Sequence, residues 1–217
     1  YVFDVGSAGS VGLVLQTIAL PLALRADAEA SVEVRGGTHA QWAPPFPFLE
    51  AAWLPRVQAM GFDLRLELRG AGFYPAGGGR VLMSVSPSKA SPAVLAEGTG
   101  ALALEATAVV SNLSEAIARR ALTAVQEGLG EYSLRVRSAT LRSPGPGFAL
   151  WLSAARTEAP PNVFTAFGAR GRPAEDVGVE AGREFAKFAA YEVGVDEHLC
   201  DQLMLPIALA GAGEFTT

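Results

Sequence analysis

Apolar and polar positions follow two periods along this chain, and these predict helices and strands in turn. Five segments carry apolar residues at helical spacing, at 11–25, 48–60, 113–129, 173–191 and 196–211. Segment 62–69 alternates strictly, with Phe62, Leu64, Leu66 and Leu68 on one face, which is typical of a half-buried strand. Further strands are predicted at 1–5, 31–35, 80–85, 101–110, 132–140, 147–155 and 162–167. The order of these elements indicates an α+β fold.

Segment 87–100 is rich in Ser, Pro, Ala and Gly, and we expect a domain boundary there. Behind it, a strand, a helix, three strands and a helix form a compact α/β unit. The last helix then returns to the first layer of the fold. We therefore expect the domains to cover 1–98, 99–190 and 191–217, with the middle one inserted into the other.

The composition predicts a folded globular protein. Of the 217 residues, 50% are hydrophobic and 18% are charged, which argues against disorder. A net charge of −5 excludes a broadly basic coat protein, yet leaves room for a protein that grips one nucleic-acid end. The single cysteine, Cys200, allows no internal disulfide, so we expect a reducing, cytoplasmic environment. The oligomeric state stays open.

The uncharged run from Val5 to Leu24 has the length of a membrane span. Its first half is rich in glycine and serine, and Gln16 and Pro21 interrupt the rest. We therefore interpret the run as a turn followed by a buried helix, and expect no membrane association.

The most informative segment begins at Asp196, which is expected to cap a helix that ends at Gly211. His198, Asp201 and Gln202 then share one face of that helix. Pro206 has no N–H to donate to the carbonyl of Gln202, so that carbonyl stays free beside the same corner. These groups suit a polar ligand, although a surface ion pair or a capping network would use the same residues.

Three further features are informative, and the first two each leave two interpretations open. Gln16 lies in an apolar helix, so its amide either bonds to backbone or faces a ligand. The turn Gly6–Ser10 precedes that helix and suits an anion, or serves geometry alone. The glycine-rich segment Gly72–Gly79 predicts a hairpin connection. It is not a nucleotide-binding P-loop, because no Lys-Ser/Thr and no helix follow it.

Four motifs in register carry a family resemblance. They are Gly6-Ser-Ala-Gly-Ser10 with Leu15-Gln16-Thr17, Arg35-Gly-Gly-Thr-His-Ala-Gln-Trp-Ala-Pro-Pro45, Gly72-Phe-Tyr-Pro-Ala-Gly-Gly-Gly79 and Glu197-His-Leu-Cys-Asp-Gln202. With them the chain closely resembles the RNA 3′-terminal phosphate cyclase family over nearly its whole length. The resemblance is strongest at 1–87 and 191–216. It implies repeated units of two helices on a four-stranded sheet, with an inserted small, thioredoxin-like α/β domain.

The resemblance implies an ATP-dependent reaction on an RNA 3′ end. A histidine takes AMP from ATP and releases pyrophosphate, and AMP then passes to the RNA 3′-phosphate. Attack by the neighbouring 2′-hydroxyl gives a 2′,3′-cyclic phosphate and expels AMP, because adenylation has turned a phosphate oxygen into a good leaving group. A divalent metal, Mg²⁺ or Mn²⁺, would offset the phosphate charge.

The resemblance also implies roles for individual residues. His198 would stack on adenine opposite Pro44, while Asp201 and Gln202 bind the polar edges of the nucleotide. The whole implied ATP/AMP set is Gln16, Pro44, His198, Leu199, Cys200, Asp201 and Gln202. Many family members have Tyr where this chain has His198, a change that preserves stacking. Arg35, Arg56 and Arg80 are candidates for RNA phosphates, or serve solubility alone.

Neither of the two histidines, His39 and His198, is expected to be the nucleophile. In the family that histidine belongs to a His-x-x-Thr-Asn segment, expected beyond Thr217, and an N-terminal Glu-Gly-Gly-Gly-Gln motif also lies outside this sequence. We therefore expect the chain to be a fragment without catalytic activity of its own. The alternative is a non-catalytic relative that binds RNA during ribosomal RNA processing. An enolpyruvyl-transferase-like enzyme would need more phosphate-binding cations than a chain with only Lys89 and Lys187 as lysines offers.

Overall fold

The first layer of the fold is a four-stranded sheet of order β1-β2-β4-β3. The computed structural model describes residues 1–95, 98–191 and 193–217. The strands of this sheet are Val2–Asp4 (β1), Ala30–Gly36 (β2), Leu64–Gly70 (β3) and Gly79–Val85 (β4). β1 runs parallel to β2, and β4 is antiparallel to both β2 and β3. The hairpin predicted at Gly72–Gly79 is confirmed, and Gly77 and Gly78 supply its positive φ angles of 64° and 73°.

Two helical rods pack on this sheet. The first is α1, Val11–Arg25, with the bounds predicted from the sequence. The second is continuous but irregular, since α2 (Phe46–Phe48), a π-helical segment (Leu49–Trp53) and α3 (Leu54–Ala59) follow one another. It begins before the predicted residue 48 because Pro47 lies in the first turn, where a missing N–H costs no hydrogen bond. The π-helical turn has no counterpart in the apolar pattern.

The inserted α/β unit has its own sheet, of order β7-β6-β8-β9. Its elements are Thr99–Ser111 (β6), Glu115–Gly128 (α4), Leu134–Thr140 (β7), Gly147–Thr157 (β8), Asn162–Phe167 (β9) and Ala174–Ala189 (α5). β6 and β7 are parallel and joined by α4, whereas β8 and β9 are antiparallel to their neighbours. The N-cap of α4 is Ser114, whose hydroxyl accepts from the N–H of Ala116. Asn112 has a φ of 49° and donates to two backbone carbonyls.

Each of the two four-stranded sheets has its own hydrophobic core. One lies under α1 and the π-helical segment and includes Leu199 and Leu203 from the last helix. The other lies between α4, α5 and the insert sheet, around Phe185. The predicted α+β class is confirmed. The domain limits stay predictions, and Ala96, Glu97 and Glu192 lie outside the described residues.

The last helix starts a second copy of the opening pattern. α6 (Glu197–Ala210) stands between the short parallel strands Ala93–Val94 (β5) and Gly213–Glu214 (β10). The order β5-α6-β10 repeats β1-α1-β2, with the insert placed between β5 and α6. Asp196 caps α6 as Ser10 caps α1, and Gln202 and Gln16 occupy the same position relative to those caps. In the described ranges, no helix is long and apolar enough to cross a membrane.

The insert contacts the first layer along two seams. In the polar seam, Arg56 donates to the carbonyls of Pro160 and Pro161, and Asn162 bonds to the backbone of Gly194 and Asp196. In the aromatic seam, His39 and Phe73 from the first layer pack with Val109 and Trp151 of the insert.

Candidate functional site

The polar corner of α6 is built on a tightly capped first turn. Oδ1 of Asp196 accepts from the backbone N–H groups of His198 at 3.0 Å and Leu199 at 3.2 Å. His198 and Asp201 are exposed and Gln202 is half-buried. Nε2 of Gln202 donates to Oδ2 of Asp201 at 2.8 Å, so the two polar side chains are already oriented together. The corner thus presents an imidazole beside a carboxylate–amide pair.

The other two residues of this segment face inward. Leu199 is 0% exposed and belongs to the hydrophobic core, and its N–H is bound by Asp196. Its side chain is therefore unavailable to a nucleotide, contrary to its place in the expected ATP/AMP set. Cys200 is half-buried and packs against the same core. The helical period explains both positions, since the polar and apolar stripes of α6 lie on opposite sides.

Pro44 and Gln16 lie on the side of α1 that carries Gly12. A Cβ at Gly12 would overlap the carbonyl oxygen of Pro44 and lie 3.2 Å from Leu49, so the glycine permits this close approach. Gln16 stands one helical turn after Gly12 and hence on the same side of α1. Its Nε2 atom is buried and has no hydrogen-bond partner in the described part of the chain. Of the two interpretations open for Gln16, an amide locked to backbone is therefore excluded for this nitrogen.

The π-helical segment links these two groups. Leu49, its first residue, contacts the Gly12 side of α1. α6 packs on the same segment and buries Leu199 and Leu203 beside Leu49 and Trp53. The structure thus places Gln16 and Pro44 near the start of the π-helical segment. α6 packs on the same segment through its apolar face, with the polar corner on the other face of that helix.

Arg35 and Arg80 share a cavity of about 360 Å³. They are direct cross-strand partners on β2 and β4. The turn that precedes α1 also lines the cavity, through Gly6 and Ser7. Nε of Arg35 pairs with Glu33 at 2.6 Å, whereas no ion pair holds Arg80 among the described residues. Two guanidinium groups facing the turn before a helix make a cavity suited to a phosphate.

Arg56 lies in a different environment, and its guanidinium is not available to bind phosphate. It is 2% exposed, and its guanidinium donates to the carbonyls of Ala52, Pro160 and Pro161 at 2.8–3.0 Å. Burial lowers its pKa to about 10, while the charge of Asp196 acts in the opposite direction. The side chain is already satisfied by backbone carbonyls, so it fixes the polar seam rather than offering a surface for RNA.

His39 has a role that the sequence did not reveal. It is 3% exposed and stacks on Phe73 with ring centroids 5.0 Å apart. Burial lowers the pKa of His39 to about 4, so the ring is neutral near pH 7. The side chain lines a second cavity of about 160 Å³, between the first layer and the insert. Its neighbours there are distant in the sequence, so no local pattern marks it.

Metal ligation has no visible basis within the described residues. No group of three or more His, Cys, Asp or Glu side chains converges there.

Comparison with known proteins places the chain in a family. The family model described as RNA 3′-terminal phosphate cyclase matches residues 1–217. A protein of that name from Koribacter versatilis is 43% identical over the whole chain, which covers 61% of that relative. One from Pseudomonas aeruginosa (strain UCBPP-PA14) is 42% identical, with 63% of it covered. One from Salmonella agona is 38% identical, with 62% covered. The chain thus spans about three-fifths of these relatives.

Proposed function

The chain belongs to the RNA 3′-terminal phosphate cyclase family, and we propose that it carries the nucleotide- and RNA-binding part of such an enzyme. The reaction is the ATP-dependent conversion of an RNA 3′-phosphate into a 2′,3′-cyclic phosphate. The match over all 217 residues carries this proposal. It fits a chain with a net charge of −5, because gripping one RNA end neutralises few phosphates.

The residues available for ATP are Gln16, Pro44, His198, Asp201 and Gln202. The buried, unpaired Nε2 of Gln16 is the strongest structural support, since such a group gains most from a ligand acceptor. Pro44 and His198 would hold adenine between two flat faces. The Asp201–Gln202 pair would bind the polar edge of the nucleotide. The carboxylate accepts hydrogen bonds, and the amide beside it both donates and accepts them.

The cavity of Arg35 and Arg80 would bind the RNA 3′-phosphate. Two guanidinium groups on neighbouring strands can clamp one phosphate from two directions. The turn at Gly6 and Ser7 lies beside them, with the N–H of Gly6 already donated to Oδ1 of Asp4 at 2.8 Å. Glu33 keeps Arg35 extended along the strand by their ion pair. Arg80 is then free to move toward the anion.

The nucleophile is proposed to be neither of the two histidines of this chain. His39 is buried at the aromatic seam and packs against two aromatic rings. His198 is exposed on the nucleotide side of α6, where stacking rather than phosphoryl attack suits its place. In this proposal the chain binds both substrates, and the adenylated histidine comes from outside it.

Covalent labelling with ATP that carries a labelled α-phosphate tests this proposal. We expect acid-labile label on the Pseudomonas aeruginosa relative and none on the 217-residue chain. Label on the chain itself would overturn the assignment and direct attention to His198 and His39. No label on either protein would favour the alternative, a non-catalytic RNA-binding relative.

ATP binding to the chain tests the site separately. Gln16→Ala should weaken ATP binding about tenfold, measured by calorimetry, because the lost hydrogen bond lies in a buried place. The matched control is Gln126→Ala, an exposed glutamine on α4, which should leave the affinity unchanged. Equal affinities of the two variants would contradict the proposed role of Gln16.

A further inference from the structure

The second cavity, between the first layer and the insert, has features that the proposed ATP site does not use. It measures about 160 Å³, and apolar side chains from both layers, such as Leu68, Leu141 and Trp151, form most of its lining. His39 and Glu50 are the two polar residues in that lining. An apolar slot with a few polar groups is the usual form of a small-ligand site.

The hydrogen bonds around His39 identify what it offers to a ligand. Oγ1 of Thr38 accepts from the N–H of Gly72 at 2.9 Å and lies 2.9 Å from Nδ1 of His39. The carbonyl of Gly72 is 3.5 Å from this hydroxyl, farther than Nδ1, so we assign the hydroxyl proton to the shorter contact with Nδ1. A neutral ring with Nδ1 as acceptor carries its proton on Nε2. That N–H has no partner in the described ranges, on a side chain that is 3% exposed.

Glu50 supplies the complementary group at the rim. Burial raises the pKa of this carboxyl, as expected for a group that faces an apolar slot. The site therefore presents an N–H donor, a carboxylate acceptor and the indole face of Trp151. Both pyrimidine bases display a carbonyl or ring-nitrogen acceptor next to an N–H donor. A cavity near 150 Å³ holds one benzene-sized ring, which suits a single six-membered ring better than a purine.

The insert sheet continues this site with positive charge. Across the sheet, Thr107 pairs with Arg137 on one side and with Trp151 on the other. Residues paired in this way share a face, and this face is opposite to α4 and α5, which cover Ala106 and Ala108. Arg137 therefore stands two strands from Trp151, about 10 Å away. Its side chain is 67% exposed and holds one ion pair, to Glu105 at 3.2 Å. Arg135 follows the same alternation on β7, the edge strand.

We infer that this cavity binds a pyrimidine base of the RNA strand, upstream of the 3′-phosphate, while Arg137 contacts the backbone beside it. The inference rests on the proposed RNA substrate and assigns the insert a part in holding it. Stacking on Trp151 supplies affinity, the hydrogen bonds to His39 and Glu50 orient the base, and the size of the cavity supplies the preference for pyrimidine over purine.

Fluorescence anisotropy with labelled RNA hexamers that end in a 3′-phosphate tests the inference on the 217-residue chain. Oligo-U should bind about fivefold or more tightly than oligo-A, which corresponds to the lower end of a stacked base's contribution. Glu50→Gln should lower that ratio without weakening oligo-A, because it replaces one acceptor oxygen at the cavity with an NH₂ donor and removes the negative charge. Its control is Glu127→Gln, an exposed acid on α4, which should keep the ratio.

Arg137→Gln should weaken both hexamers by a similar factor and lower the salt dependence by about one phosphate contact. Arg119→Gln is its matched control, since Arg119 is exposed on α4, on the opposite face of the insert sheet. If Arg137→Gln binds both hexamers as tightly as the unchanged chain does, Arg137 does not contact the RNA backbone.

The remaining outcomes separate the possible failures. Uridine 3′-monophosphate should compete at least about a hundredfold more weakly than the hexamer, because it lacks the backbone contacts. Equal competition would make the cavity a free-nucleotide site and overturn the inference. RNA binding with no preference for U and no effect of Glu50→Gln would overturn the inference alone. No RNA binding at all would overturn the proposed function together with it.

Discussion

The two seams between the first layer and the insert rest on different kinds of interaction. The polar seam uses the guanidinium of Arg56 and the amide of Asn162, each bound to backbone groups of the other side. The aromatic seam uses rings, with His39 neutral between Phe73 and Trp151. Hydrogen bonds fix position and direction, whereas ring packing tolerates small shifts. The seam that sets the start of α6 is the directional one, and the seam with a cavity is the adaptable one.

The location of each seam explains this difference. Asn162 bonds to Asp196, the cap of α6, so the polar seam places the helix that presents His198, Asp201 and Gln202. An error in that placement would displace the whole polar corner. The aromatic seam borders the cavity of about 160 Å³, where the surrounding side chains leave space unfilled. The insert is thus held by hydrogen bonds beside the start of α6 and borders a cavity at its other seam.

Arg56→Met should produce the largest loss of stability. The change removes three hydrogen bonds, leaves the carbonyls of Pro160 and Pro161 unpaired, and leaves the charge of Asp196 without its nearby cation. Breaking such a buried charged network costs about 3 kcal/mol, measured as the free energy of unfolding in urea. Arg65→Met on β3, an exposed position, should change it by less than about 0.5 kcal/mol. A loss below about 1 kcal/mol for Arg56→Met would mean that the seam does not depend on this side chain.

His39 should make the protein less stable in mild acid. Its pKa is lowered from 6.5 to about 4 in the folded state, so the unfolded chain binds the proton first as the pH falls. Stability is complete above pH 6.5 and declines toward pH 4, by about 2 kcal/mol between pH 7 and pH 5. Urea unfolding at those two pH values measures this decline.

His39→Asn should remove that decline, while His198→Asn, at an exposed site, should leave it in place. Burial raises the pKa of Glu50 and of Asp196, and both carboxyls act with the opposite sign, because the folded state holds their protons more tightly. They are present in both variants, so the difference between the variants isolates His39. An equal decline in the two would exclude His39 as its source.

Local patterns in the sequence predicted most elements of the fold. α1 was placed correctly from its apolar positions, and α6 from its cap Asp196 and its end at Gly211. The π-helical segment was not predicted, because its apolar residues also fit an ordinary helix.

The candidate site was less predictable for a physical reason. The polar face of α6 follows from helical spacing, so His198, Asp201 and Gln202 could be grouped in advance. The burial of Arg56 and His39 depends on the insert folding back over the first layer. Pro160, which binds Arg56, and Trp151, which covers His39, lie more than a hundred positions further along the chain. Such contacts leave no local signal, so no pattern in the sequence separated Arg56 from Arg35 and Arg80 among the candidates for RNA phosphates.

Asn162→Ala should have a smaller and more local effect than either change above. Asn162 is 5% exposed, and its amide donates to the carbonyl of Gly194 and accepts from the N–H of Asp196, each at 3.1 Å. Alanine leaves both backbone groups buried without a partner, at a cost of about 1–2 kcal/mol. Amide hydrogen exchange should quicken in the first turn of α6 and stay unchanged in α1, whose start is held by backbone bonds between Gly9, Val11 and Gly37. Asn112→Gly is the control, because the Asn112 side chain also makes two hydrogen bonds to backbone groups, here to two carbonyls, but lies outside both seams. Faster exchange in both helices would show that Asn162 supports the whole first layer rather than the start of α6, and would remove the contrast between a directional and an adaptable seam.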